Sequence, residues 1–264
     1  MKTPFAATLA GAALLSGAAL AADLPAPAPM PYKAPTAVAP VYNWTGCYIA
    51  GGFGYGVWNQ DHWDETSPGL VPLDPRSTNG GRGWMGLAGG GCDVEVPTGT
   101  FLGNLVFGVM ADYDFMNVHG QATDMLFVSQ GDLKQSSAWT VGGRVGFLVT
   151  PNLLTYTNGG FTQAHFNQWN LSPFGIGAPI VFTQAHTYNG WFLGGGTEYA
   201  LNFSWLPVHG LFWRNEYRFS SFNKADLTVF PAPGTVLAGG FAVHQQIYEQ
   251  AVMSELVWRF NFWQ

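Results

Sequence analysis

Eight segments of ten or more residues, each alternating apolar with small or polar side chains, divide the chain from Trp44 onward, and the gaps between them alternate in length. The segments are WTGCYIAGGFGYGVW (44–58), GWMGLAGGGCDVE (83–95), FLGNLVFGVMADYDF (101–115), AWTVGGRVGFLV (138–149), NLLTYTNGGFTQAHF (152–166), TYNGWFLGGGTEYAL (187–201), LFWRNEYRFSS (211–221) and IYEQAVMSELVWRFNF (247–262). A period of two reads as strand. The first, third, fifth and seventh gaps hold about twenty residues rich in Gly, Pro, Asn, Asp and Ser, roughly 59–82, 116–137, 167–186 and 223–245. The other three are short, around VPTG, TPN and SWLP. Long connections on one side, short turns on the other and an even strand number are the arrangement of a transmembrane barrel whose short turns face the periplasm. The expected fold is therefore all-β: an eight-stranded antiparallel up-and-down transmembrane β-barrel with long extracellular loops.

Parity assigns the faces. In the third segment Phe101, Leu105, Phe107, Val109, Tyr113 and Phe115 oppose Asn104, Asp112 and Asp114. In the fourth, Trp139, Val141, Val145, Phe147 and Val149 oppose Thr140 and Arg144; in the sixth, Trp191, Leu193, Tyr199 and Leu201 oppose Glu198. In the seventh, Leu211, Trp213, Tyr217 and Phe219 oppose Arg214, Glu216 and Arg218. In the eighth, Tyr248, Val252, Leu256, Trp258 and Phe260 oppose Glu249, Glu255 and Arg259. The fifth segment alternates poorly. A soluble barrel carries its apolar face inward and its charges toward water. Here the apolar faces are too continuous, and too aromatic at their ends, for one small interior, so lipid lies outside and charge inside.

Composition agrees. Of 264 residues 10% are charged, against about 25% in ordinary soluble proteins, while 16% are aromatic. A net charge of −6 without a basic patch argues against a nucleic-acid partner. After the N-terminus no apolar run reaches the roughly 18 residues of a spanning helix. The first 21 residues, with Lys2, a small apolar stretch and Ala19-Leu20-Ala21, read as a removed signal peptide. Residues 22–43, with six prolines from Pro25 to Pro40, read as a proline-rich periplasmic linker, and 44–264 as the barrel.

The run ADLP, the proline-rich spacer, the opening YNWTGCYIAGGFGYG, the FGVMADYDF strand and the pair TEYAL (197–201) and NEYRF (215–219) resemble the small outer-membrane β-barrel proteins of alphaproteobacteria. That family is described as porin-like surface proteins, related in architecture to OmpA/OmpX-type barrels. The resemblance covers residues 20–264 and implies a Gram-negative cell outer membrane as location. Such chains end on an aromatic residue read by the barrel-assembly machinery, whereas this one ends FNFWQ at Gln264. Phe262 keeps the face of Trp258 and Phe260 and can carry that signal displaced by two residues.

Candidate chemistry is sparse. Cys47 and Cys92 fall at the periplasmic ends of the first two strands with outward parity, which allows either a cross-strand disulfide or two free thiols. His62, His119, His165, His186, His209 and His244 show no metal-ligand spacing and fall in expected loops or at strand ends. No phosphate-cradling GxxxxGK[ST] is present, and the Gly-Gly-Gly runs lie mid-strand. His165 near an outer strand end does not assemble with an acid and a Ser, so no catalytic set emerges, and no cofactor or metal is implied.

Asp112, Asp114, Arg144, Glu198, Arg214, Glu216, Arg218, Glu249, Glu255 and Arg259 would share one interior. Eight strands leave a lumen that side chains fill, so an ion-pair network is expected. The expected function is an outer-membrane surface protein supporting envelope integrity. A narrow ion or small-solute channel is the second reading; a surface adhesin or a lipid-modifying barrel enzyme is less supported. Expected partners are outer-membrane lipid, lipopolysaccharide and the assembly machinery. The apolar stretches SPFGIGAPIVF and FPAPGTVLAGG suggest loops that pack on each other or on a partner.

Overall fold

The computed structural model describes residues 42–99, 103–174, 176–202 and 210–260. The expected signal peptide, nearly all of the linker, Phe101, His209 and the terminal Phe262 and Gln264 lie outside these residues. Among the described residues there is no helix, and none therefore that could cross a membrane.

The strands are β1 (Gly46–Thr66), β2 (Ser77–Val96), β3 (Leu105–Asp124), β4 (Ser129–Thr150), β5 (Leu153–Phe166), β6 (Trp169–Pro173), β7 (Val181–Thr183), β8 (His186–Ala200), β9 (Leu211–Phe222), β10 (Ala225–Pro231) and β11 (Phe241–Phe260). Antiparallel pairing runs β1-β2-β3-β4-β5-β8-β9-β11, and β11 pairs back onto β1 from Cys47↔Phe260 to Thr66↔Phe241. Eight strands thus close a ring and leave no edge in this part of the sheet.

The short pieces continue that ring. β6 follows β5 after two residues, β7 precedes β8 by two, and β10 follows β9 by two. β6 pairs with β4 and β7, β7 with β10, and β10 with β11. The wall is therefore eight strands around at both levels. This corrects the expected loops: most of 59–82, 116–137 and 223–245, and nearly half of 167–186, is strand, and the main connections there lie between β1 and β2, β3 and β4, β6 and β7, and β10 and β11. The two apolar stretches do pack on each other, with Phe182 and Phe230 stacked at 5.6 Å on the paired β7 and β10.

The outer face explains why the strands run on. Ile49, Phe53 and Val57 on β1, Trp84, Val94 and Val96 on β2, Phe107 to Phe115 on β3 and Trp139 to Val149 on β4 are exposed and apolar, as are Trp191 to Tyr199, Trp213, Tyr217 and Val252 to Trp258. The band spans about ten residues per strand, which is what a tilted strand needs to cross the hydrocarbon layer. β1 has 21 residues. Beyond Val57 its next outward positions are Asn59 and Asp61, followed by Trp63 and Glu65 near the strand end, and the matching positions of β3 are Asn117, His119 and Gln121. Roughly half of each long strand therefore stands in water on the extracellular side.

The interior inverts over the same distance. At the periplasmic end Trp44, Tyr48, Val106, Leu154, Tyr156, Phe212 and Val257 form an apolar plug. At mid-height lies a layer of buried charge. Above it the lumen is apolar again, filled by Trp58, Met85, Met116, Val118, Phe166, Trp169, Phe222, Ile247 and Met253, among others. A barrel wall in lipid can carry its charges inward; the same wall in water must bury an apolar core to hold together.

Candidate functional site

Alternation along six strands aims the charged layer at the barrel axis. Three of its arginines converge on one carboxylate: Glu198 accepts from Arg259 Nε at 2.7 Å, Arg214 Nη2 at 2.9 Å and Arg144 Nη1 at 3.2 Å. Asp93 accepts from Arg144 Nε at 2.9 Å, from Arg144 Nη2, and from Arg259 Nη1 at 2.7 Å. Glu255 reaches Arg214 at 3.4 Å. The guanidinium carbons of Arg144 and Arg214 lie 4.6 Å, and that of Arg259 5.0 Å, from the centre of the Tyr48 ring, which supplies a π face to all three cations.

One step higher, Arg218 holds Asp112 at 2.7 Å, Glu216 at 2.9 Å and Asp114 at 3.5 Å. Tyr156 donates to Glu216 at 2.7 Å, and Gln135 donates to Glu249 at 2.8 Å. All ten charged residues expected in the lumen are brought into one layer, and all are buried or nearly so. The cavity of about 10 Å³ beside Asp114, Arg218 and Glu249 has room for one water at most.

Asp93 belongs to this set and was not among the expected residues. Its signal was present in the sequence, since it alternates with the outward Cys92. Two inward glycines make room for the layer. A Cβ on Gly108 would strike the Asp93 carboxylate, and one on Gly91 would lie 2.6 Å from the Tyr48 hydroxyl.

Cys47 and Cys92 are direct cross-strand partners and are joined by a disulfide at the periplasmic end of the outer face. Of the five described histidines, His165 and His186 lie at strand ends as expected, while His62, His119 and His244 stand within strands where loops were expected. His165 faces outward and meets Thr187 at 2.9 Å.

A second polar group sits at the extracellular rim, above the lipid band. His62 is fully buried, with Nε2 2.9 Å from the Thr123 carbonyl oxygen and 2.9 Å from the Ser77 hydroxyl, and its ring meets Trp169 edge-on at 5.9 Å. Asp64 and Asp124 are fully buried beside it. Asp124 Oδ1 accepts from the Phe127 amide at 2.9 Å, and Asp74 Oδ1 accepts from the Asp64 amide at 2.6 Å. Burial first, and then the charges of Asp124 and Asp74, push the Asp64 carboxyl up to about 8. Parity reading missed this rim because it lay inside an expected loop.

Comparison with known proteins agrees with this architecture. The family described as outer membrane protein beta-barrel domain matches residues 7–244. The 31 kDa outer-membrane immunogenic protein of Brucella melitensis is 28% identical over 206 residues, covering 73% of this chain and 78% of that one; its Brucella suis counterpart matches to the same degree. Among solved structures, the outer membrane protein OprG of Pseudomonas aeruginosa aligns over 83% of this chain and 98% of its own, with 13% identity and a TM-score of 0.45. Ail, the attachment invasion locus protein of Yersinia pestis, aligns over 80% and 99%, with 10% identity and a TM-score of 0.32. With its closed antiparallel ring, apolar outer band and matching family description, the chain belongs to the outer membrane protein β-barrel domain family and is a β-barrel protein of the bacterial outer membrane.

Proposed function

We propose that the protein is a structural surface component of the outer membrane, whose barrel is filled rather than open. The observation that carries this reading is the layered lumen. The arginines of the charged layer are held by carboxylates, with an aromatic plug below and an apolar core above. An ion would have to displace paired charges and then cross the apolar packing above them, where an uncompensated charge costs several kcal/mol. Two rigid layers crossed by strands about twenty residues long suit a load-bearing stave of the envelope, in contact with outer-membrane lipid and lipopolysaccharide and placed there by the barrel-assembly machinery.

No catalytic role is assigned. Hydroxyl–histidine contacts occur at Ser77–His62 and Thr187–His165, but among the described residues no carboxylate is hydrogen-bonded to either imidazole to complete a catalytic set. Deleting the gene tests the proposal. Loss of the protein should raise the cell's sensitivity to detergent and bile salt, and the wild-type chain should restore resistance. Unchanged sensitivity, with impaired uptake of a small solute instead, would favour the channel.

A further inference from the structure

We propose that Glu65, Asp226 and His244 form a binding site for a first-row divalent metal ion on the outward wall of the barrel, above the lipid band. The three residues are far apart in sequence, and three adjacent strands bring them together. Asp226 on β10 is the direct partner of His244 on β11. His244 is in turn opposite Trp63 on β1, two residues from Glu65 on the same face. One donor atom from each residue lies within 4.8 Å of the other two. Donors around a Zn²⁺ bound at about 2.0–2.2 Å stand some 3.5 Å apart, so rotations of about 1 Å close the set.

Several observations set this trio apart from an ordinary surface ion pair. Glu65 is only 3% exposed, and its Oε1 makes no hydrogen bond. His244 Nε2 is likewise buried and without a partner, while its Nδ1 lies 2.5 Å from Asp226 Oδ1. A single imidazole can contribute one positive charge against two carboxylates, one of them sealed from water. A dication meets both and uses donor capacity that the protein leaves unspent.

The surroundings are those of a fixed site. The Trp63 ring stacks on the His244 ring at 4.0 Å and holds its plane. Pro72 bridges to Glu65 as the connection after β1 folds back over it, and the strands behind it belong to the closed sheet. Access remains on one side, because the Asp226 side chain is 37% exposed. That leaves an outer position for water. One imidazole and two carboxylates favour Zn²⁺ or a similar first-row ion over Ca²⁺, which takes six to eight oxygens.

Isothermal titration of Zn²⁺ into the untagged, detergent-refolded chain tests the proposal, with Ca²⁺ as the comparison ion. The expected result is one saturable Zn²⁺ per chain, weakened at least tenfold in His244→Ala and Glu65→Gln and kept in Asp64→Asn, which alters the acidic rim inside the barrel. Asp226→Asn changes a partly exposed side chain, so it keeps the test open if the buried substitutions prevent folding; it too should lose binding. Absence of saturable binding up to about 1 mM Zn²⁺, or binding that survives all three site substitutions, would overturn the proposal.

Discussion

Arg259 on β11 donates from Nε to Glu198 on β8 at 2.7 Å, across the face of β9, which lies between them. The pair therefore ties the wall together through the lumen, in addition to the hydrogen-bond ladder around it. Arg144 on β4 does the same for Asp93 on β2 over the intervening β3. The two pairs are cross-linked, because Arg144 also donates to Glu198 and Arg259 also donates to Asp93, so the loss of one member weakens the hold on the others.

Glu198→Ala should accordingly be the most damaging change in the layer. It leaves three guanidiniums without their shared acceptor, at a cost of about 3–5 kcal/mol by analogy with other broken buried pairs. Urea unfolding of the refolded barrel, followed by the loss of its heat-sensitive gel shift, measures this. Glu255→Gln should cost clearly less, since among the described residues the ion pair of Glu255 is with Arg214 at 3.4 Å.

Gly108→Ala should disturb the layer without touching a charge. The added methyl group enters the space of the Asp93 carboxylate, between Arg144 and Arg259. A destabilisation of about 1–3 kcal/mol is expected for such overpacking. In the double variant Gly108→Ala/Asp93→Ala the two costs should fall short of additive, because the second change removes the clash.

Breaking the disulfide with Cys47→Ser should lower stability by up to about 3–4 kcal/mol on the chain-entropy account of a loop spanning 45 residues. Unfolding midpoints of the wild type with and without reductant check this, and Cys47→Ser itself should not respond to reductant.

Asp64 makes stability depend on pH. Its carboxyl lies near 3.8 in the unfolded chain and is pushed up to about 8 in the fold, so the folded state binds more protons in between. The stability this group contributes is therefore lost as pH rises from about 4 to about 8. Asp64→Asn should be more stable than the wild type at pH 8 and close to it at pH 4. Unfolding midpoints of both proteins across that range measure the difference.

Reading the fold from sequence worked where the membrane imposed one rule. Between Ile49 and Val57, or Phe107 and Phe115, every outward residue is apolar or small, so parity located the strands and aimed the charges inward. It failed above the band because the rule reverses there. Gln60, His62 and Asp64 are inward beside Trp58, while outward positions turn polar, and the stretch then resembles a loop. On β4 the inward set also changes from even to odd numbers between Ala138 and Gln135, where the register shifts, so simple alternation is lost. The trio Glu65, Asp226 and His244 had no sequence signal, because its spacing exists only across three strands.

The filled lumen is the central claim, and single-channel recording of the refolded wild-type chain in a planar bilayer tests it most directly. The account predicts a silent membrane containing folded, heat-modifiable barrel. Discrete conductance steps whose ion selectivity changes on replacing Arg218 or Glu216 would contradict it.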